Sequence, residues 1–115
     1  MKSPSNELTS SIIDFLLRNR FFAWRQNTTG VYDPKNKFFR PASITGVSDI
    51  IAIRPQDGRF VAIEVKIGHD KLRESQIAFL GSVERAKGIA VVVKTFDEFL
   101  DIYNKFIVYE KQTKI

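Results

Sequence analysis

The chain has 115 residues, 43% apolar and 27% charged, the proportions of one folded globular domain. No cysteine is present and the only histidine is His69, which excludes disulfides, thiolate metal sites, cysteine nucleophiles and multi-histidine metal centres. The net charge of +5 is concentrated between Arg18 and Arg40, where Arg18, Arg20, Arg25, Lys35, Lys37 and Arg40 stand against one acid, Asp33.

Phe21, Phe22, Trp24, Tyr32, Phe38 and Phe39 are interleaved with those charges. Such a stretch suits a polyanion surface; an ordinary solvated face with core aromatics between the charges is the alternative. Apolar runs such as Ile89 to Val93 are far too short to span a bilayer, and the polar start of the chain is unlike a signal peptide. The expectation is a single-domain intracellular (cytoplasmic) protein, residues 1–115, with no membrane partner.

Ser3-Pro4 marks a helix start, and Leu8, Ile12, Phe15 and Leu16 recur at helical spacing to about Asn19. Phe21 to Asn27 reads as a strand. Thr28 to Ser43 is the longest irregular stretch. Within it, Asp33-Pro34-Lys35-Asn36 predicts a turn that lets Val31-Tyr32 pair with Phe38-Phe39. Ser48 to Ile53 predicts a central strand, and Asp57-Gly58 a tight turn into Phe60 to Lys66. A second helix is expected over Lys71 to Lys87, capped by Asp70 and stopped by Gly88. Ile89 to Lys94 predicts an interior strand. Thr95 to Glu98 is a capping box opening a third helix to about Asn104, followed by a short strand, Phe106 to Tyr109. This order predicts an α/β fold, a mixed central sheet flanked by helices, with the sequence α-β-β-β-α-β.

Glu64 and Lys66 are two apart on a strand, so both leave the same face, and a tight turn brings Asp49 near Glu64. Two close carboxylates repel unless a cation lies between them, and oxygen ligands without histidine or cysteine select Mg²⁺ or Mn²⁺. A surface ion pair between Glu64 and Lys66 is the competing reading. Gln76 lies on the apolar stripe of the second helix, with Leu72, Phe79, Leu80 and Val83, and must find a polar partner there.

Ser48-Asp49 followed by Glu64-Val65-Lys66 resembles the PD-(D/E)xK nuclease signature. The ordered set is similar to a stand-alone VRR-NUC (virus-type replication–repair nuclease) domain. It comprises Glu7, Arg25-Gln26-Asn27 with Gly30, Gly46 to Ile50, Phe60 to Lys66, Lys71-Leu72 with Gln76, and Gly88. Ser48 departs from the proline usual at that position. The resemblance implies a Mg²⁺-dependent endonuclease, with Mn²⁺ able to substitute. Asp49, Glu64, Lys66 and Gln76 would be catalytic. Asp49, Glu64, the Val65 carbonyl and Glu7 would hold the metal. Arg25, Lys35, Lys37 and Arg40 would contact DNA. It further implies branched DNA, such as four-way (Holliday) junctions, as substrate and a homodimer as the working form. A restriction-type nuclease, a non-catalytic nucleic-acid-binding module and a structural protein are the alternatives.

Overall fold

A computed structural model describes residues 3–26, 31–40 and 44–110, with only the backbone of 31–33 and 38–40. Asn27 and Gly30 of the motif set, the side chain of Arg40 and the final residues 111–115 lie outside the described residues.

Helix α1 spans Pro4–Arg18. The Ser3 hydroxyl caps it by accepting from the Asn6 N–H at 3.2 Å, and Pro4 occupies the first turn, where its missing N–H costs nothing. At its other end Arg20 turns left-handed (φ 69°), so that the Phe21 N–H closes on the Leu16 carbonyl at 2.9 Å. The chain then enters β1, Phe22–Arg25. Val31–Asp33 (β2) and Phe38–Arg40 (β3) form the expected hairpin, with Tyr32 opposite Phe39.

The main sheet adds β4 (Ile50–Ile53), β5 (Phe60–Val65) and β6 (Ile89–Val93) in the order β1-β4-β5-β6. The first three strands are antiparallel neighbours, and β6 runs parallel to β5 after a crossover through α2, Glu74–Arg85. The expected mixed sheet flanked by helices is therefore the observed fold.

Helices pack on both sheet faces. Ile12, Leu16, Ile50, Val61, Ile63, Val93, Phe99 and Ile107 are buried in the main core beneath α1 and α3 (Phe96–Ile102). A smaller core under α2 holds Ile51, Ala62, Leu80 and Val83. Phe15 packs edge-on against Phe99 and Tyr103 at 5.5 and 4.8 Å, so these two aromatics of the last helix fill the chain's own core, whereas Phe106 is exposed. Among the described residues, no helix is long and apolar enough to cross a membrane.

Three local expectations change. Helix α2 begins after Arg73, not at Lys71 with an Asp70 cap, because the Gln76 side chain reaches back to the Arg73 N–H at 2.8 Å and defines the first turn. Its stop uses Lys87 as the left-handed residue (φ 72°), with the Gly88 N–H on the Val83 carbonyl at 2.8 Å. Gly88 is needed instead for space, since a Cβ there would lie 2.7 Å from Val83 Cγ1. The strand expected at Phe106 to Tyr109 does not form. Helix α3 widens into a π-helical turn, Tyr103–Ile107, closed by the Val108 N–H on the Tyr103 carbonyl at 2.8 Å.

Arg54 explains that turn. Its buried guanidinium grips Asp57 with two bonds, 2.9 and 2.6 Å, and donates to the Ile107 carbonyl at 3.0 Å. The bidentate grip of Arg54, assisted by the Arg59 N–H, holds the Asp57 carboxyl down to about 2. Arg54 thus ties the β4–β5 turn to the end of the last helix. Arg54→Ala is expected to cost about 2–4 kcal/mol by denaturant unfolding, because it orphans a buried carbonyl.

Candidate active site

The register builds the site. Ile50 pairs with Ile63, so Asp49 falls beside Glu64, and the Gln26 N–H donates to the Asp49 carbonyl at 2.8 Å. Gln26, Asp49 and Glu64 therefore form a row at one end of the sheet, on the face covered by α2. The Asp49 carboxylate accepts from the Val65 N–H at 2.8 Å, which holds it against the strand. Lys66 follows the strand, and its Nζ is 3.8 Å from Glu64 Oε1.

Glu64 is only 2% exposed and Lys66 only 7%. Gln76 Nε2 donates to Glu64 Oε1 at 3.0 Å while its Oε1 caps α2. One glutamine thus starts the helix and fixes the carboxylate, which is the polar partner its place on the apolar stripe required. Among the described residues, Glu64 Oε2 is buried with no hydrogen-bond partner. Burial above all, then the charge and hydrogen bonding of Asp49, push the Glu64 carboxyl up to about 8, with Lys66 opposing.

These groups open into a polar cleft of about 450 Å³ between the N-terminal ends of α1 and α2. Asp49, Glu64, Val65, Lys66, Gln76 and Arg25 all line it. Arg25 is exposed and its Nη2 donates to Asn6 Oδ1 at 2.9 Å, joining β1 to α1. Lys35 and Lys37 are exposed on the β2–β3 turn and are not among the residues that line the cleft. His69 is exposed in the loop after β5.

Glu7 is not brought to the other acids. It is exposed and absent from the cleft wall, where α1 presents Ser5, Asn6 and Thr9 instead. At about 100° per residue, Ser5, Asn6 and Thr9 share a face and Glu7 points away from it. Helical phase thus keeps the expected third carboxylate, Glu7, off the cleft wall. Asn6 and Arg73, also on the wall, were not singled out from the sequence, and Gln26 entered only as part of the motif set. Only the strand register and the helix phase reveal them.

The donor set fits a hard divalent cation. It offers two close carboxylates, a backbone carbonyl at Val65 and a buried carboxylate oxygen that lacks a partner. Among the described residues no three acids or histidines cluster as ready ligands, so much of the ion's shell would be water, as Mg²⁺ tolerates.

The backbone at Gly46 positions this wall. Gly46 is left-handed (φ +76°) and sits under the start of α2, where an added Cβ would collide with the Ser75 carbonyl and lie 2.7 Å from the Gln76 nitrogen. Gly46→Ala should destabilise the fold by about 2 kcal/mol or more and lower activity by shifting Gln76. Gly58→Ala, at φ +71° in open space, should cost only about 1 kcal/mol; thermal melts of the two variants check the contrast.

A larger groove, about 530 Å³, follows β6 beside Arg59, Glu84 and Phe106, but among the described residues only one acid lines it. The VRR-NUC domain family matches residues 35–97, which include Asp49, Glu64, Lys66 and Gln76. No curated protein matches the chain.

Proposed function

The chain belongs to the VRR-NUC family, a nuclease family, and from that premise we propose that it is a Mg²⁺-dependent endonuclease of branched DNA. The observation that carries this reading is the row of Asp49 and Glu64 beside buried Lys66, with one Glu64 oxygen unpartnered in a polar cleft. Asp49, Glu64 and the Val65 carbonyl would hold the ion. When bound, the ion supplies Lewis-acid activation of water and stabilises charge on the phosphate.

The chain's own residues do the rest. Gln76 fixes the Glu64 rotamer, so the carboxylate does not have to reorganise as charge develops. Lys66 stands where its ammonium can orient the attacking water or hold a phosphate oxygen. Arg25, anchored on Asn6, offers the backbone phosphates a planar donor at the cleft edge. The hairpin lysines, Lys35 and Lys37, extend the positive surface and add affinity without reading sequence. A symmetric four-way junction needs paired cuts, and one site per chain makes a homodimer the matching form.

The test is cleavage of matched single-stranded, duplex, flap and four-way-junction DNA. Mg²⁺ and Mn²⁺ should support cutting. Ca²⁺ should support binding without cutting, because its looser geometry positions water poorly. Binding without cleavage under every ion would make the chain a nucleic-acid-binding module. A strict monomer in sedimentation at micromolar concentration, cutting one strand of a flap, would remove the junction-resolving role.

A further inference from the structure

The face of the sheet that carries the acids continues away from them as an aromatic track. Side chains two residues apart on a strand share a face and are spaced by about 7 Å. Below Gln26–Asp49–Glu64 lies the row Trp24–Ile51–Ala62, and below that Phe22–Ile53–Phe60. Helix α2 packs over β5 and β6, and among the described residues no helix covers the β1 edge of this face. Phe22 is 65% exposed, and its ring lies 4.9 Å from that of the half-buried Trp24, tilted by 47°. The Trp24 indole N–H donates to Gln26 Oε1 at 2.9 Å, and Gln26 lines the cleft. The polar edge of the indole is thereby satisfied and turned towards the site. Arg20 and Arg25, both exposed, flank the pair in the chain.

An exposed phenylalanine ring against a half-buried indole, continuous through Gln26 with a polar cleft that Arg25 also lines, matches single-stranded nucleic acid. We propose that Phe22 and Trp24 are a stacking platform for unpaired bases beside the cleft, an inference that rests on the nuclease reading. Bases inside a duplex are already stacked and cannot reach it. The platform therefore selects strands that are unpaired next to the cut, as at a branch point or flap.

Trp24 is the chain's single tryptophan, so its emission reports the site directly. The intact protein is titrated with oligo-dT and with a blunt duplex, without divalent ions. Oligo-dT should quench Trp24 and the duplex should leave it nearly unchanged. Phe22→Ala should weaken oligo-dT binding by about 5–100-fold with little effect on duplex. Phe22→Tyr, which keeps the ring, should restore it, and circular dichroism checks that each variant is folded. Equal losses for duplex and oligo-dT, or no quenching by oligo-dT, would overturn the platform. So would an emission change that follows protein concentration without DNA, together with a sedimenting dimer, since a second copy would then cover the rings. Cleavage without oligo-dT quenching sinks the platform and spares the nuclease reading. Quenching with the expected Phe22 effects, but no cleavage, supports the platform and sinks the nuclease reading.

Discussion

Glu64→Gln is expected to abolish cleavage, by about a thousand-fold or more, and yet to make the metal-free protein more stable. The wild-type carboxyl is pushed from 4.5 to about 8 on folding, by burial and then by Asp49. A raised carboxyl pKa means that the folded state keeps a proton the unfolded chain has released. Stability present below pH 4.5 is therefore lost progressively as pH rises towards 8. Glutamine has no proton to lose, can keep the bond from Gln76 and places no charge beside Asp49. The variant should match wild type near pH 4 and gain about 1–2 kcal/mol by pH 8, allowing for screening at the cleft mouth. Chemical unfolding at several pH values measures the gap. A variant that cuts like wild type, or a gap that closes rather than opens with rising pH, would refute the placement of Glu64. Asp49→Asn and Lys66→Ala should also abolish cutting in folded protein.

The second large effect is on DNA affinity. Replacing Arg25, Lys35, Lys37 and Arg40 together by glutamine should flatten the dependence of log affinity on log salt by about 3–4, near 0.9 per phosphate contact. Those contacts would account for about a 100-fold share of the wild-type loss between roughly 50 and 200 mM salt. Arg25 is anchored to Asn6 on the cleft wall, which Lys35 and Lys37 do not line. Arg25→Gln alone should lower cleavage at saturating DNA, whereas Lys35→Gln with Lys37→Gln should weaken binding and leave the saturated rate unchanged. Filter binding across a salt series, with single-turnover cleavage, separates the two. An unchanged slope would place the DNA surface elsewhere.

Much of this architecture was legible in the residues alone, wherever one local rule had no competitor. Ser3-Pro4 could only open a helix, and Thr95 caps the last one through the Glu98 N–H at 3.0 Å. Alternation along Phe60 to Val65 put Glu64 on one face and Ile63 on the other, and the Asp57-Gly58 turn set the register that brings Asp49 to Glu64. The family resemblance was readable for the same reason: its residues sit at strand ends whose spacing local chemistry specifies.

Only the tertiary structure decided where two partners compete for one group or where a face must be chosen. Helix α2 starts late because Gln76 serves both the Arg73 N–H and Glu64, a double role that no local pattern reveals. The last helix widens because Arg54, 53 residues away in the chain, takes the Ile107 carbonyl. Glu7 reads equally well as a ligand or a first-turn acid until the packing of Leu8, Ile12 and Leu16 sets the rotation of α1 and turns it outward. Strand order, which leaves β1 at an edge with Phe22 and Trp24 uncovered by α2, is likewise a long-range outcome. Period and caps act over a few residues, so sequence by itself determined most of the elements and the acidic pair. Helix rotation and edge exposure depend on which cores close first against which faces, and those contacts exist only in the folded chain.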